Sequence, residues 1–307
     1  MEKISFWEQA QRNRRYSWVL MISVFVTLGV LSVVLSLIFA RMYGVGFMFI
    51  FLMFSTVFNI GYILVTYYKS AEIALSSVGA KPAQESRYKQ LNDVVEEMAI
   101  AGGVPKPKVY VMPSPDINAF AAGRDPEHSV ICVTEGCLAK LNRQELESVV
   151  GHEMTHVINL DTRFVTLIAI MVGLVAILSQ MFIRSMWFSG GGRDRESRGG
   201  GGLMVVLLVV GVILAIIAPI IVKLVQLAIS RRREYMADAG AVELTRYPAG
   251  MISALEKIKA EHAAGLKTKV NAAVAPMFLA DPMQARIVGM FNTHPPIEDR
   301  IKALKAM

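Results

Sequence analysis

The sequence predicts an α-helical polytopic membrane protein of four spans, carrying a mainly helical domain with a small sheet (α+β). Three observations lead there. The 307 residues have a mean hydropathy of +0.45 with 54% hydrophobic side chains, too apolar for a soluble chain of this length. Four apolar runs, at about 17–40, 45–67, 164–183 and 203–229, approach or exceed the roughly 18–20 residues that cross a bilayer. Two polar blocks separate and follow them, at about 69–163 and 230–307, and these carry the periodicities of a folded domain.

Residues 1–16 form an N-terminal segment with Arg12, Arg14 and Arg15. The run behind it is too long for the apolar core of a signal peptide and leads straight to the second run, so 17–67 reads as an uncleaved pair of spans. In 68–163, the stretch from Pro82 to Ala101 places Leu91, Val94, Val95 and Met98 at helical spacing. Residues 108–112 (KVYVM) and 129–134 (SVICVT) read as short strands, with 118–122 (NAFAA) as a third between them. Asn142 followed by Glu145 is a capping-box start for a helix through Leu146, Val149 and Val150. Residues 164–229 are the second pair of spans, joined by the glycine-rich outer loop 189–202. Residues 230–307 read as mainly helical, interrupted by Pro248, Pro282 and Pro295-Pro296.

Charge sets the orientation. The arginines of the N-terminal segment, the basic residues of the first block and Arg231-Arg232-Arg233 belong on the cytoplasmic side. Arg41 stands alone in the first outer loop, and Arg184, Arg193, Arg195 and Arg198 face Asp194 and Glu196 in the second. Because two spans separate the polar blocks, both lie on one face and can build one site. The net charge of +7 comes without a basic stripe interleaved with aromatics, so nucleic acid is excluded as a partner and the bilayer is expected as one. Cys132 and Cys137 fit neither a disulfide framework nor a C-x-x-C metal site, which points to a reducing compartment.

The chemistry centres on His152-Glu153-Met154-Thr155-His156. On a helix, residues four apart share a face, so both imidazoles can converge on one metal ion. The glutamate beside the first histidine can then act as general base toward water at the metal. Catalytic zinc takes three protein ligands, and the residues after His156 (VINLDTRFV) offer no third histidine. Glu234, in the stretch REYMAD just past the fourth span, is the best candidate, with Asp161 and Glu243 as alternatives. Asp238, one turn beyond Glu234, is placed to orient a ligating imidazole. About eight residues lie between His156 and Phe164, roughly 12 Å if helical, and both ligand helices are expected to run straight into spans. The polar flanks ELES and NLDTR put the motif at the membrane surface, not inside it. Two other classes make different demands on the sequence. A scaffold or chaperone with structural zinc would need no base and would use a fourth protein ligand, and a transporter would carry paired ionisable residues deep in its spans.

On these residues the chain resembles the HtpX family of bacterial membrane zinc endopeptidases and, more distantly, the eukaryotic prenyl-protein (CAAX) peptidases. The likeness spans nearly the whole sequence: two N-terminal spans, G-H-E-x-x-H-x4-D, a second span pair, E-x-x-x-D and a late Thr293-His294-Pro295. It implies a zincin-like catalytic domain with one zinc per chain held by His152, His156 and Glu234, Glu153 as base, and Asp238 and Asp161 behind the ligands. It further implies that Asn118, Ala119, Phe120 and Ala121 form an edge strand pairing with extended substrate. His294 would stabilise the oxyanion, and Arg300 would support the site or a substrate carboxylate. The expected role is stress-linked quality control in the bacterial inner membrane, on misfolded or damaged membrane proteins and unfolded polypeptides.

Overall fold

The computed structural model describes residues 44–165, 231–263, 278–279 and 295–307, with scattered positions among 11–40 and residue 211. Most of the third and fourth expected spans, the loop 189–202, Pro282 and His294 lie outside the described residues.

Helix α1 (Val45–Ser77) has 33 residues, about 50 Å at 1.5 Å per residue, and outruns the expected 45–67 span. Among the described residues it is the helix long and apolar enough to cross a membrane. Phe54 and Val57 are 68% and 66% exposed, an apolar surface that water would not tolerate but lipid would. Asn59 Nδ2 donates to Ser32 Oγ at 3.0 Å, a buried polar tie to the first expected span. The last turns of α1 belong to the domain built on the sheet: Ala74 and Leu75 pack on Met112, Phe120 and Val130.

The sheet has four strands, β1 (Lys81–Pro82), β2 (Lys108–Met112), β3 (Ala119–Gly123) and β4 (Ser129–Thr134), in the order β1-β2-β4-β3. β2 and β4 run parallel, from Lys108↔Val130 to Met112↔Thr134. β3 lies antiparallel to β4 and forms one margin of the sheet. The helix expected from Pro82 begins only at Lys89, as α2 (Lys89–Gly102). Lys81–Pro82 instead pairs antiparallel with Val111 and Tyr110. Proline, with fixed φ and no N–H, suits an outer strand better than a helix interior. Asn92 secures the passage from strand to helix by donating to Ala83 O at 3.2 Å.

Alternation along the strands divides the core. Ala119, Ala121, Ile131 and Val133 face α2 and the metal-motif helix, meeting Leu91, Val94, Val95, Leu146, Val149 and Val150. Phe120, Ala122, Val130 and Cys132 face the end of α1. After the short α3 (Glu135–Lys140), the motif helix α4 (Arg143–Ile158) opens with a complete capping box between Asn142 and Glu145. Glu145 also accepts hydrogen bonds from Lys257 and Ser253, both at 2.6 Å. Burial pushes its carboxyl up, but these bonds and the Asn142 N–H outweigh burial and hold it below the usual carboxylate range. The remaining helices are α5 (Arg231–Thr245), α6 (Pro248–Ala263) and α7 (Ile297–Lys305).

Helices α4 and α5 approach closely. A Cβ on Gly240 would lie 2.5 Å from the Thr155 side chain, and Gly151 faces Ala241 in the same seam. The expected straight run from α4 into a span does not occur. α4 ends at Ile158, Leu160 turns left-handed at φ 56°, and helix resumes at residue 161. In an unbroken helix, residues 156 and 161 would point about 140° apart. The break swings Asp161 back toward His156, and that contact is its physical reason.

Candidate metal centre

His152 and His156 lie one turn apart on α4, and their Nε2 atoms face each other at 3.2 Å. Glu234, in the first turn of α5, faces both: Oε2 lies 3.7 Å from His152 Nε2 and Oε1 lies 3.7 Å from His156 Nε2. The three ligand atoms fall within 4.8 Å of one another, at the apex of the α4–α5 seam.

Each imidazole is held from behind by its own carboxylate. Asp238 Oδ1 lies 2.9 Å from His152 Nδ1, and Asp161 Oδ2 lies 3.0 Å from His156 Nδ1. A carboxylate accepts, so each Nδ1 carries the proton and each Nε2 turns a lone pair inward. Two lone pairs 3.2 Å apart repel unless a cation stands between them. The residues therefore fit a divalent metal, with two nitrogens and one carboxylate matching the donor set of catalytic zinc. The surrounding charge favours a cation as well. Burial opposes charging His152, yet the carboxylates of Asp238 and Glu234 outweigh it and lift the imidazole to about 9.

Asp238 is anchored by Arg300, whose Nε and Nη2 donate to its two oxygens at 2.8 and 2.6 Å. Burial raises the Asp238 carboxyl, but the adjoining guanidinium more than reverses this and keeps it ionised. Arg300 is 1% exposed and its Nη1 donates to Leu279 O at 3.2 Å. Of the two roles the resemblance offered, the contacts favour support of the site: among the described residues Arg300 meets Asp238, Leu279 O and, at 3.9 Å, Glu234.

Glu153, 1% exposed, stands beside the ligand cluster. Its carboxyl is raised by burial, ahead of the opposing pull of His152 and His156, and it accepts from the backbone N–H of Ala121 in β3. Its Oε1 has no hydrogen-bond partner among the described residues. β3 thus runs alongside Glu153, with Ala119, Phe120 and Ala121 on the marginal strand, and Asn118 just before it accepts from Ala119 N–H at 3.0 Å. Glu243 sits elsewhere: it lines a cleft of about 710 Å³ with Thr155, Ile158 and Gly102.

The sequence profile of peptidase family M48 matches residues 85–307. The chain belongs to peptidase family M48. The M48 region takes in the motif helix, α5 and α7 together, so the residues gathered here lie within it. A "Protease HtpX homolog" of Caldanaerobacter subterraneus subsp. tengcongensis is 44% identical over 274 residues, covering 87% of this chain and 90% of that one. One of Dictyoglomus turgidum is 40% identical over the whole of this chain and 96% of its own, and one of Lactobacillus helveticus is 38% identical over 98% and 99%. Among solved structures, S. mikatae Ste24p aligns with 95% of this chain and 66% of its own at 17% identity and a TM-score of 0.49. As an M48 member the protein is a membrane metalloprotease, a hydrolase that uses a metal; the scaffold and transporter alternatives fall away.

Sequence reasoning missed one element at the centre: Phe278 and Leu279, which pair with β3 from outside the sheet. Their signal was the apolar triplet Met277-Phe278-Leu279 between Pro276 and Pro282, the pattern of a short buried strand.

Proposed function

We propose that this chain is a zinc endopeptidase, with one zinc per chain, that cleaves misfolded or damaged membrane proteins at the cytoplasmic surface of the bacterial inner membrane. The observation that carries the reading is the convergence of His152, His156 and Glu234 beside a buried Glu153 that has an oxygen unbonded among the described residues. Zinc in that cluster would polarise a scissile carbonyl and make water acidic enough to deprotonate near neutral pH. Glu153 takes the proton of the attacking water and hands it to the leaving amine nitrogen, a role suited to a carboxyl raised by burial. Ala121 N–H steadies that carboxylate during both transfers. His294, outside the described residues, is proposed to donate to the developing oxyanion. Casein is the assay substrate: cleavage by detergent-purified protein should stop on chelation and return with one equivalent of zinc. Cleavage that persists in metal-free protein would defeat the reading.

We place the N terminus and both polar blocks in the cytoplasm, held by span pairs at 17–67 and 164–229. Cys132 and Cys137 are free and buried, so their removal gives a clean background for labelling. Single cysteines at 69 and 245 are expected to react only with a thiol reagent that reaches the cytoplasm, and one at 195 only from outside. Labelling of all three from one face would break the four-span arrangement, and exchanged faces would reverse it.

A further inference from the structure

The margin of β3, the strand assigned above to substrate, already has an occupant. Leu279 N–H donates to Ala119 O at 2.9 Å, and Phe278 forms an antiparallel bridge with Phe120. The pairing lies on the face of β3 turned away from β4 and beside the amide that holds Glu153. An extended peptide entering a zincin-like cleft would make this same backbone contact.

The side chains are seated as well. The Phe278 ring lies 5.0 Å from that of Phe120, and Leu279 is 2% exposed within the main core cluster. The Leu279 carbonyl accepts from Arg300, which in turn holds Asp238 and through it His152. The dipeptide is thus gripped at its N–H, its carbonyl and two apolar side chains. Among the described residues its ladder is one bridge, against the five register pairs joining β3 to β4.

We propose that Phe278–Leu279 is an internal occupant of the substrate edge, standing in for the backbone of a bound polypeptide and competing with it. Resting on the peptidase reading above, this adds two properties. Substrate binding requires displacement of the dipeptide, so apparent affinity is scaled by the fraction of molecules with a free edge. The pockets that hold Phe278 and Leu279 are substrate pockets, so the enzyme favours an aromatic residue followed by a branched aliphatic one.

Leu279→Pro removes the donor to Ala119 O while keeping an apolar side chain. With one hydrogen bond lost from the occupant, KM for casein should fall about two- to tenfold. In parallel, a synthetic peptide of residues 275–282 (APMFLADP) should inhibit the full-length wild type by raising KM, inhibit Leu279→Pro more strongly, and lose its effect when scrambled. Should the variant fail to fold, peptide inhibition of the wild type decides alone. An unchanged or higher KM in a folded variant, or no inhibition of the wild type by millimolar peptide, overturns the proposal. Glu153→Gln runs in the same assay: its loss of activity upholds the peptidase reading even where the dipeptide results fail.

Discussion

Glu153→Gln is expected to abolish proteolysis while leaving the metal bound. The three metal-facing atoms belong to His152, His156 and Glu234, and none of them depends on Glu153 for its position. Glutamine keeps the shape of the side chain in a site that is 1% exposed, so the core around it is undisturbed. What it lacks is a basic oxygen. Loss of general-base catalysis typically costs about 10²–10⁴ in rate, and more where one group serves in both proton transfers. Zinc stoichiometry and casein turnover on a single preparation give the answer. Bound metal with retained turnover would remove Glu153 from the mechanism, and loss of metal would make it a ligand.

Glu234→Ala is expected to empty the site, and Glu243→Ala to leave it filled. Two imidazoles alone hold zinc far more weakly than the three-ligand set of catalytic sites. The nine residues from Glu234 to Glu243 make about two and a half turns, which sets the two carboxylates on opposite faces of α5 some 13–14 Å apart along the axis. Glu234 faces the imidazoles, whereas Glu243 faces the cleft shared with Thr155 and Gly102. Metal analysis after dialysis separates the two, and metal lost only from the Glu243 variant would refute the ligand assignment.

Local rules carried much of the catalytic domain. The capping box at Asn142 and Glu145 is visible in the sequence because it closes within one turn, and β2 and β4 have the bounds their β-branched residues suggest. The motif helix needed only the i, i+4 rule to set two histidines on one face. The failures share one cause, which is pairing between distant segments. Lys81–Pro82 is a strand only because Tyr110 and Val111 lie beside it, and Phe278–Leu279 is ordered against β3 across more than 150 residues of chain. The break at Leu160 escaped for a related reason. No glycine or proline marks it, and it is stabilised by the Asp161–His156 contact it creates. Glu234 could be nominated from its neighbourhood, but its facing toward the imidazoles comes from the glycine-lined seam between α4 and α5.

That left-handed turn also decides what the bilayer can transmit to the active site. A continuous rod from the motif into the lipid would turn every tilt or thickness change of the membrane into torque on the two histidines. The break at Leu160 removes that rod, yet Asp161, the first residue beyond it, turns back onto His156, whereas His152 is held by Asp238 and Arg300 from within the domain. Tilt of the anchor would therefore reach the two imidazoles unequally, through Asp161 to His156 first.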